Sequence, residues 1–283
     1  MKDVRGGAGP GVARGRVLVD PPLSGARNMA VDHALADGLP ADSGVLRFYR
    51  WEIPTISFGR NQRARGAYRA DAIREAGVGL VRRPTGGRAV LHHLELTYAV
   101  VLPLRAYGGL RQTYRLVNEG LVEGLRALGV PARVSEGGTF ALPPEAGACF
   151  AAPAEGEVIV EGRKLVGSAQ ARVEGSLLQH GSLLLAGDQA RVRRFEEAQG
   201  TDSENGPGAD GTGSPTPAVE PFTTLDQVLL PLPEWGQLVQ ALARGVTGVL
   251  GGEWVPSEVT PSEAEVAERL LDRYQSSDWI WRR

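Results

Sequence analysis

Cys149 is the chain's one cysteine, and Lys164 is its one lysine apart from Lys2, in a sequence with 29 arginines. A thiolate is a strong nucleophile, and a nearby ammonium lowers a thiol's pKa by favouring the charged form. Lysine can do this with a compact charge and a movable pKa, whereas arginine spreads its charge over a fixed fork. If residues 157–170 fold as a pair of strands turning at Glu161-Gly162-Arg163, Lys164 comes back toward Cys149 and the pair makes a reactive thiol. The same residues also fit an inert buried cysteine and a surface lysine. A single cysteine excludes an intrachain disulfide and a cysteine-based metal cluster within the chain.

The second stretch with chemical content is residues 82–98, RRPTGGRAVLHHLELTY. Gly86-Gly87, flanked by Arg83, Thr85 and Arg88, lets a backbone approach a ligand closely, because no Cβ obstructs it. A simple hairpin turn fits the glycine pair as well. His92 and His180 stand where strands run into polar or glycine neighbours; a ligand contact and a hydrogen-bonded structural role are both open. No His-x-x-x-His or carboxylate set with zinc spacing occurs, and no Gly-x-x-x-x-Gly-Lys-Ser/Thr phosphate loop. Gly167-Ser168-Ala169-Gln170 reads as a small-residue strand, with room for a slender ligand or with tight sheet packing.

Strands over 15–20, 45–51, 54–59, 78–83, 89–102, 157–170 and 177–185 must position these residues. Helices follow from the 3.6-residue periodicity over 28–39, 67–76, 114–128, 225–250 and 262–274. Residues 135–148 are rich in glycine and proline and read as a loop that delivers Cys149. Strands in the middle with helices around them predict an α+β domain with a sheet covered on one side. The expected organisation is a flexible tail over 1–14, a catalytic domain over 15–250 and a helical extension over 251–283 packed on it. Within the domain, residues 200–220 lack large apolar side chains and read as a disordered polar insertion.

With 42% hydrophobic residues over 283 positions, the chain can bury a full core. No apolar run reaches membrane-spanning length, and residues 1–16 lack a signal peptide's apolar stretch, so a soluble cytoplasmic protein is expected. A formal charge of -2 argues against a general nucleic-acid binder. Locally the balance differs: residues 47–88 carry +7 around the glycine loop, and residues 200–283 carry -8. An acidic or phosphate-bearing partner docking on 47–88 and a merely solvated arginine face are the two readings.

Five blocks in order resemble the biotin/lipoate protein ligase superfamily: RRPTGGRAVLH (82–92), ELTY (95–98), ACFAAP (148–153), EGRKLVGSAQAR (161–172) and LQHGSLL (178–184). Within it the resemblance is to the LipM octanoyltransferases; residues 28–30, 47–51 and 278–279 fit the same group. The resemblance implies a biotin/lipoate protein ligase-like catalytic domain, with mixed and antiparallel sheets flanked by helices. It implies octanoyl transfer from acyl carrier protein to a lysine of a lipoyl domain, such as glycine cleavage H protein or a dehydrogenase E2 subunit. No cofactor, metal or nucleotide is required, and a monomer is expected. Cys149 matches the nucleophile that holds the acyl group as a thioester, and Lys164 the lysine that lowers its pKa. Arg83, Thr85, Gly86, Gly87 and His92 fall on the ligand-facing loop; Gly167, Ser168, Ala169, His180 and Gly181 fall on strands lining an acyl tunnel. Backbone N–H groups near Gly167 are then placed to hold the oxyanion. His93 replaces a usual Asp and Ala99 a common Ser, which leaves the polar contacts of that strand open. The competing readings are an amidotransferase that takes octanoate from another lipoyl-type domain, an ATP-dependent lipoate ligase, and a catalytically silent acyl- or biotin-binding module.

Overall fold

The computed structural model describes residues 11–136, 155–197 and 222–283. Cys149, the 200–220 insertion, residues 1–10 of the tail and all but the first two residues of the 135–148 loop lie outside the described residues. Eleven strands form two sheets among the described residues: β1 (Arg14–Val19), β2 (Ser43–Tyr49), β3 (Thr55–Phe58), β4 (Gly79–Arg82), β5 (Val90–His92), β6 (Glu95–Pro103), β7 (Arg133–Val134), β8 (Val158–Val160), β9 (Arg163–Val173), β10 (Ser176–Leu184) and β11 (Glu253–Pro256). The large sheet has the order β11-β1-β2-β6-β10-β9-β8-β7, and the small one the order β4-β3-β5. The helices are α1 (Gly25–Ala36), α2 (Ala70–Glu75), α3 (Leu110–Ala127), α4 (Leu225–Val228), α5 (Trp235–Leu250), α6 (Pro261–Gln275) and α7 (Ser277–Ile280).

The large sheet is covered on both faces, not one. Strand alternation shows why: on β2 and β6, Leu46, Phe48, Leu96, Tyr98, Val100 and Leu102 pack with α3 and α5, while Val45, Tyr49, Ala99 and Val101 pack with α1 and α6. A strand buried on both faces loses its polar alternation, so the sequence shows only an apolar run. α3 and α5 approach unusually closely. A Cβ on Gly120 would stand 2.5 Å from the Cα of Val246, and one on Gly124 2.7 Å from the carbonyl of Ala241.

Three of the departures from the expected element boundaries have a local reason. The expected strand 89–102 is two strands in different sheets, broken at His93-Leu94 by a turn in which Glu95 N–H donates to the His93 carbonyl at 3.1 Å. The expected helix 225–250 is broken between α4 and α5 across Pro231 and Pro233, which have no N–H to donate. α1 begins at Gly25 because Ser24 caps it, accepting from Arg27 N–H at 3.3 Å. The Glu161-Gly162 and Glu174-Gly175 turns form as expected, with all four residues at positive φ.

Residues beyond 250 tie back into this body. β11 pairs in parallel with β1, α6 packs along α1, and Arg16 is ion-paired with Glu263, which also completes the capping box of α6 with Thr260. Trp279 donates its indole N–H to the Arg82 carbonyl at 2.8 Å, and Trp281 packs against Phe58 with ring centroids 5.5 Å apart.

Candidate active site

The two sheets meet along a narrow cavity. Its wall takes Met29 from α1, Tyr49 from the end of β2 and Trp51 just beyond it, Ser57 and Val90 from the small sheet with Arg83 and His92, and Thr97, Gly167, Ser168, Ala169, His180, Gly181 and Ser182 from the large sheet. β9 and β10 supply its floor in register, His180 opposite Ala169 and Gly181 opposite Ser168. Small residues there serve both readings at once: a Cβ on Gly181 would stand 2.5 Å from the Gly167 carbonyl and 2.7 Å from the Tyr98 ring, so the pair packs tightly and the floor stays low.

Each histidine is fixed between a hydroxyl on one side and a carboxylate on the other. His92 Nε2 lies 2.7 Å from Ser57 Oγ and Nδ1 lies 2.8 Å from Glu95 Oε1. Its ring stacks on Trp51 at 3.9 Å. His180 Nε2 lies 2.6 Å from Thr85 Oγ1 and Nδ1 lies 3.1 Å from Asp32 Oδ2. Because a carboxylate accepts only, both imidazoles are assigned as Nδ1–H donors, with Nε2 accepting from the hydroxyl. Burial pushes the His180 pKa down, against the pull of Asp32, and the ring is therefore neutral at pH 7.

The carboxylates are buried and ionised. Burial alone would raise the Asp32 pKa, but the Arg47 guanidinium at 2.7 Å, with His180, holds it below the ordinary value. Arg47 is itself fully buried. It also donates to Asp20 at 2.7 Å and to the Asn28 side chain at 3.0 Å, while Tyr49 donates to Asp32 at 2.9 Å. Glu95 follows the same pattern: burial opposes its charge, and His92, Thr97 and Ser182 donating to one oxygen hold the pKa down.

Arg83 pins the glycine loop from inside. It donates to the Ser57 carbonyl and hydroxyl at 2.9 Å, to the Gly86 carbonyl at 2.8 Å and to the Arg88 carbonyl at 2.7 Å. Gly87 takes φ of 90°. Neither Gly86 nor Gly87 is in the cavity wall, and Thr85 reaches it through His180; the other loop and strand residues expected from the sequence are in the wall itself.

Lys164 is buried on β9, and its ammonium donates to Glu157 Oε1 at 2.7 Å. The two ends of the chain that flank residues 137–154 are joined here: Ser135 N–H donates to the Glu157 carbonyl at 2.8 Å, and Gly156 N–H to the Ser135 carbonyl at 3.1 Å. Asn118 of α3 holds the Gly156 carbonyl at 2.8 Å and also accepts from Ser168 at 3.2 Å, which connects this edge to the cavity floor. Cys149 itself lies outside the described residues.

Sequence reasoning missed Asp32, Arg47, Ser57, Glu95, Ser182 and Glu157. Asn28 and Asp32, four apart among the apolar residues of α1, were a usable signal, since a carboxylate on a buried helical face demands a cation. Ser57 and Ser182 carried none, being ordinary polar positions in short strands. The basic stretch 47–88 is also not one face: Arg47, Arg82, Arg83 and Arg88 are buried, and the first three serve as internal donors.

Residues 24–242 match the family model of the lipoyl protein ligase A/B catalytic domain. Among curated proteins, the chain is 39% identical to octanoyltransferase LipM of Kyrpidia tusciae, over 92% of this chain and 96% of the relative. It is 33% identical to octanoyltransferase LipM of Staphylococcus aureus, over 90% and 94% respectively. Its fold is similar to that of a lipoate-protein ligase A crystallised with ATP, with a TM-score of 0.74, 24% identity and coverage of 95% of this chain and 98% of the other. The chain belongs to the lipoyl protein ligase A/B catalytic-domain family and, within it, to the LipM octanoyltransferases.

Proposed function

We propose that this octanoyltransferase takes its acyl group from octanoyl acyl carrier protein, holds it as a thioester on Cys149, and passes it to the lysine of a lipoyl domain. The observation that carries this reading is the buried Lys164–Glu157 pair, set where the chain leaves toward and returns from residues 137–154. A buried ammonium beside a thiol stabilises the thiolate, and the Glu157 carboxylate at 2.7 Å holds that ammonium in place.

The transfer is ping-pong. The Cys149 thiolate attacks the thioester carbonyl; a carbon–sulfur bond forms, and the carrier's thiolate leaves and takes up a proton. The acceptor amine then attacks the enzyme thioester, loses a proton, and forms the amide as the Cys149 thiolate departs. β8 pairs with β9 only as far as Val166, so the β8-side edge of β9 from Gly167 onward lies past that ladder, which supports a role for backbone N–H groups there with the oxyanion. His180, held neutral by burial, shapes the acyl site together with His92 and Arg83. The protein works as a cytoplasmic monomer; among the described residues no helix is long and apolar enough to cross a membrane.

Intact-protein mass spectrometry after mixing with octanoyl acyl carrier protein tests this. A hydroxylamine-labile octanoyl adduct on the wild type, absent from Cys149→Ala, is expected. Activity that appears only with free octanoate or lipoate and ATP would make the chain a ligase, and donation from an octanoylated lipoyl-type domain alone would make it an amidotransferase.

A further inference from the structure

We infer that the exposed arginines of two segments brought together at the C-terminal end, Arg60, Arg63 and Arg65 with Arg273, Arg282 and Arg283, form the docking surface for the acidic carrier protein that delivers the acyl thioester. The inference rests on the protein-donor reading above and names where that donor sits. Arg283 is held against the first segment by its carbonyl, which accepts from Ala64 N–H at 2.8 Å and Arg65 N–H at 2.7 Å. Beneath them the buried Arg82 joins both segments with one guanidinium, donating to the carbonyls of Gly59 at 2.6 Å, Gln62 at 2.8 Å and Ile280 at 2.8 Å.

All six arginines are exposed. None of them is ion-paired with a carboxylate among the described residues, and the nearby Asp272 and Asp278 make no ion pair with them. Arg273 and Arg282 both stack on the Trp279 ring, 4.0 and 4.7 Å from its centroid. Burial and then Arg282, Arg83 and Arg283 hold the Arg82 pKa down to about 10; Arg282 is also held down, by burial and then by Arg283, Arg60 and Arg273. Like charges gathered this way repel one another, and a negatively charged partner relieves the repulsion.

Placement fits the delivery of a thioester. Arg60 N–H donates to the Thr85 carbonyl at 2.7 Å, so the cluster abuts the glycine loop, and Thr85 reaches the cavity through His180. Six exposed arginines from two segments carry more charge than a small anion takes up, which matches an acidic protein face. The chain's overall charge of -2 sets the cluster apart as local and disfavours nucleic acid as the occupant.

The test compares acyl-enzyme formation from octanoyl acyl carrier protein and from octanoyl-pantetheine, in the wild type and in Arg60→Glu/Arg63→Glu/Arg282→Glu. The variant should show a rise of about tenfold or more in KM for the protein donor, with a flatter dependence on salt. Its kinetics with the small thioester should stay within about twofold of wild type, since steering acts on the charged partner alone. Arg63→Glu/Arg65→Glu, which leaves the Trp279 stack intact, should give the same split with a smaller KM change. Equal losses with both donors, unchanged kinetics with the protein donor, or equal competition by duplex DNA and by the unacylated carrier would overturn the docking surface. A wild type that accepts octanoate from pantetheine but never from the carrier would overturn the donor reading with it.

Discussion

Lys164 Nζ lies 2.7 Å from Glu157 Oε1 with both side chains buried, so the chain's one interior lysine is paired across the bulge between β8 and β9. Taking away one partner strands the other charge. Glu157→Gln should cost about 3–5 kcal/mol of stability and slow acylation, whereas Lys164→Met/Glu157→Leu should recover the stability without the acylation. Denaturant melts alongside adduct formation separate the two effects; a double variant that still acylates at the wild-type rate would remove Lys164 from the chemistry.

Asp32 and Arg47 form the second buried pair, and here geometry matters as much as charge. Arg47 serves Asp20, Asp32 and Asn28 together through three nitrogens. Arg47→Lys keeps the charge but lacks the planar fork, so it should destabilise by about 2 kcal/mol or more. Asp32→Asn should cost about 3–5 kcal/mol by leaving Arg47 short of its counter-charge. Thermal melts of the two variants check this, and a wild-type melting point for Arg47→Lys would show that charge alone suffices.

His180 gives a signature in pH. In the folded chain it binds a proton less readily than an unfolded histidine, whose ordinary value is 6.5. Between 6.5 and its lower folded value the unfolded state holds more protons, so stability falls as pH falls through that window. Asp32, depressed from 3.8, acts only at lower pH, where its contribution is lost as pH drops through its folded value. His33 shifts in the same direction as His180, so the readout is a difference. Midpoints measured from pH 7.5 to 5 should decline more steeply for wild type than for His180→Asn; parallel curves would mean that His180 is not held neutral.

Gly181→Ala tests the floor of the cavity. Its Cβ would meet the Gly167 carbonyl and the Tyr98 ring, both within 2.7 Å. Tyr98 has little room to yield, being buried and bonded to Ser168 at 2.7 Å and Gln179 at 2.9 Å. A loss of about 1–3 kcal/mol is expected, with acylation by octanoyl donors falling more than acylation by acetyl donors. Equal falls for both chain lengths would place Gly181 outside the acyl path.

The 200–220 insertion should be dispensable, but its boundary is not. Phe222 bridges Lys164, and Thr223 N–H donates to the Lys164 carbonyl at 2.9 Å. Deleting 200–220 should leave adduct formation unchanged, while a deletion that also removes Phe222 and Thr223 should slow it. Time courses of acylation for the two deletions distinguish the cases.

The sequence singled out His92, His180 and the small residues Gly167, Ser168, Ala169 and Gly181 because their types are rare or restrictive, and the structure brings these six into one cavity wall. The sequence hid the partners that orient them. Glu95 and Ser182 look like any polar residue in a strand, and only the register that sets β6 beside β10 shows them converging on His92. The break at His93-Leu94 was equally hidden, since an apolar run across two sheets has the same composition as one long strand. Arginine density around the glycine loop read as a surface, yet four of those arginines are buried, and Arg47, Arg82 and Arg83 find carbonyls or carboxylates that a linear reading cannot place.

The two imidazoles hang from different sheets: His92 ends β5, and His180 sits in the middle of β10. Each reaches across, His92 to Glu95 of β6 and His180 to Thr85 of the loop beyond β4. The cleft is thus a laced seam, and its width is set by bond lengths and not by a hinge. A substitution anywhere along either sheet edge that shifts one lace tightens or slackens the whole opening, so the fit of a ligand depends on the two sheets together as well as on each lining residue.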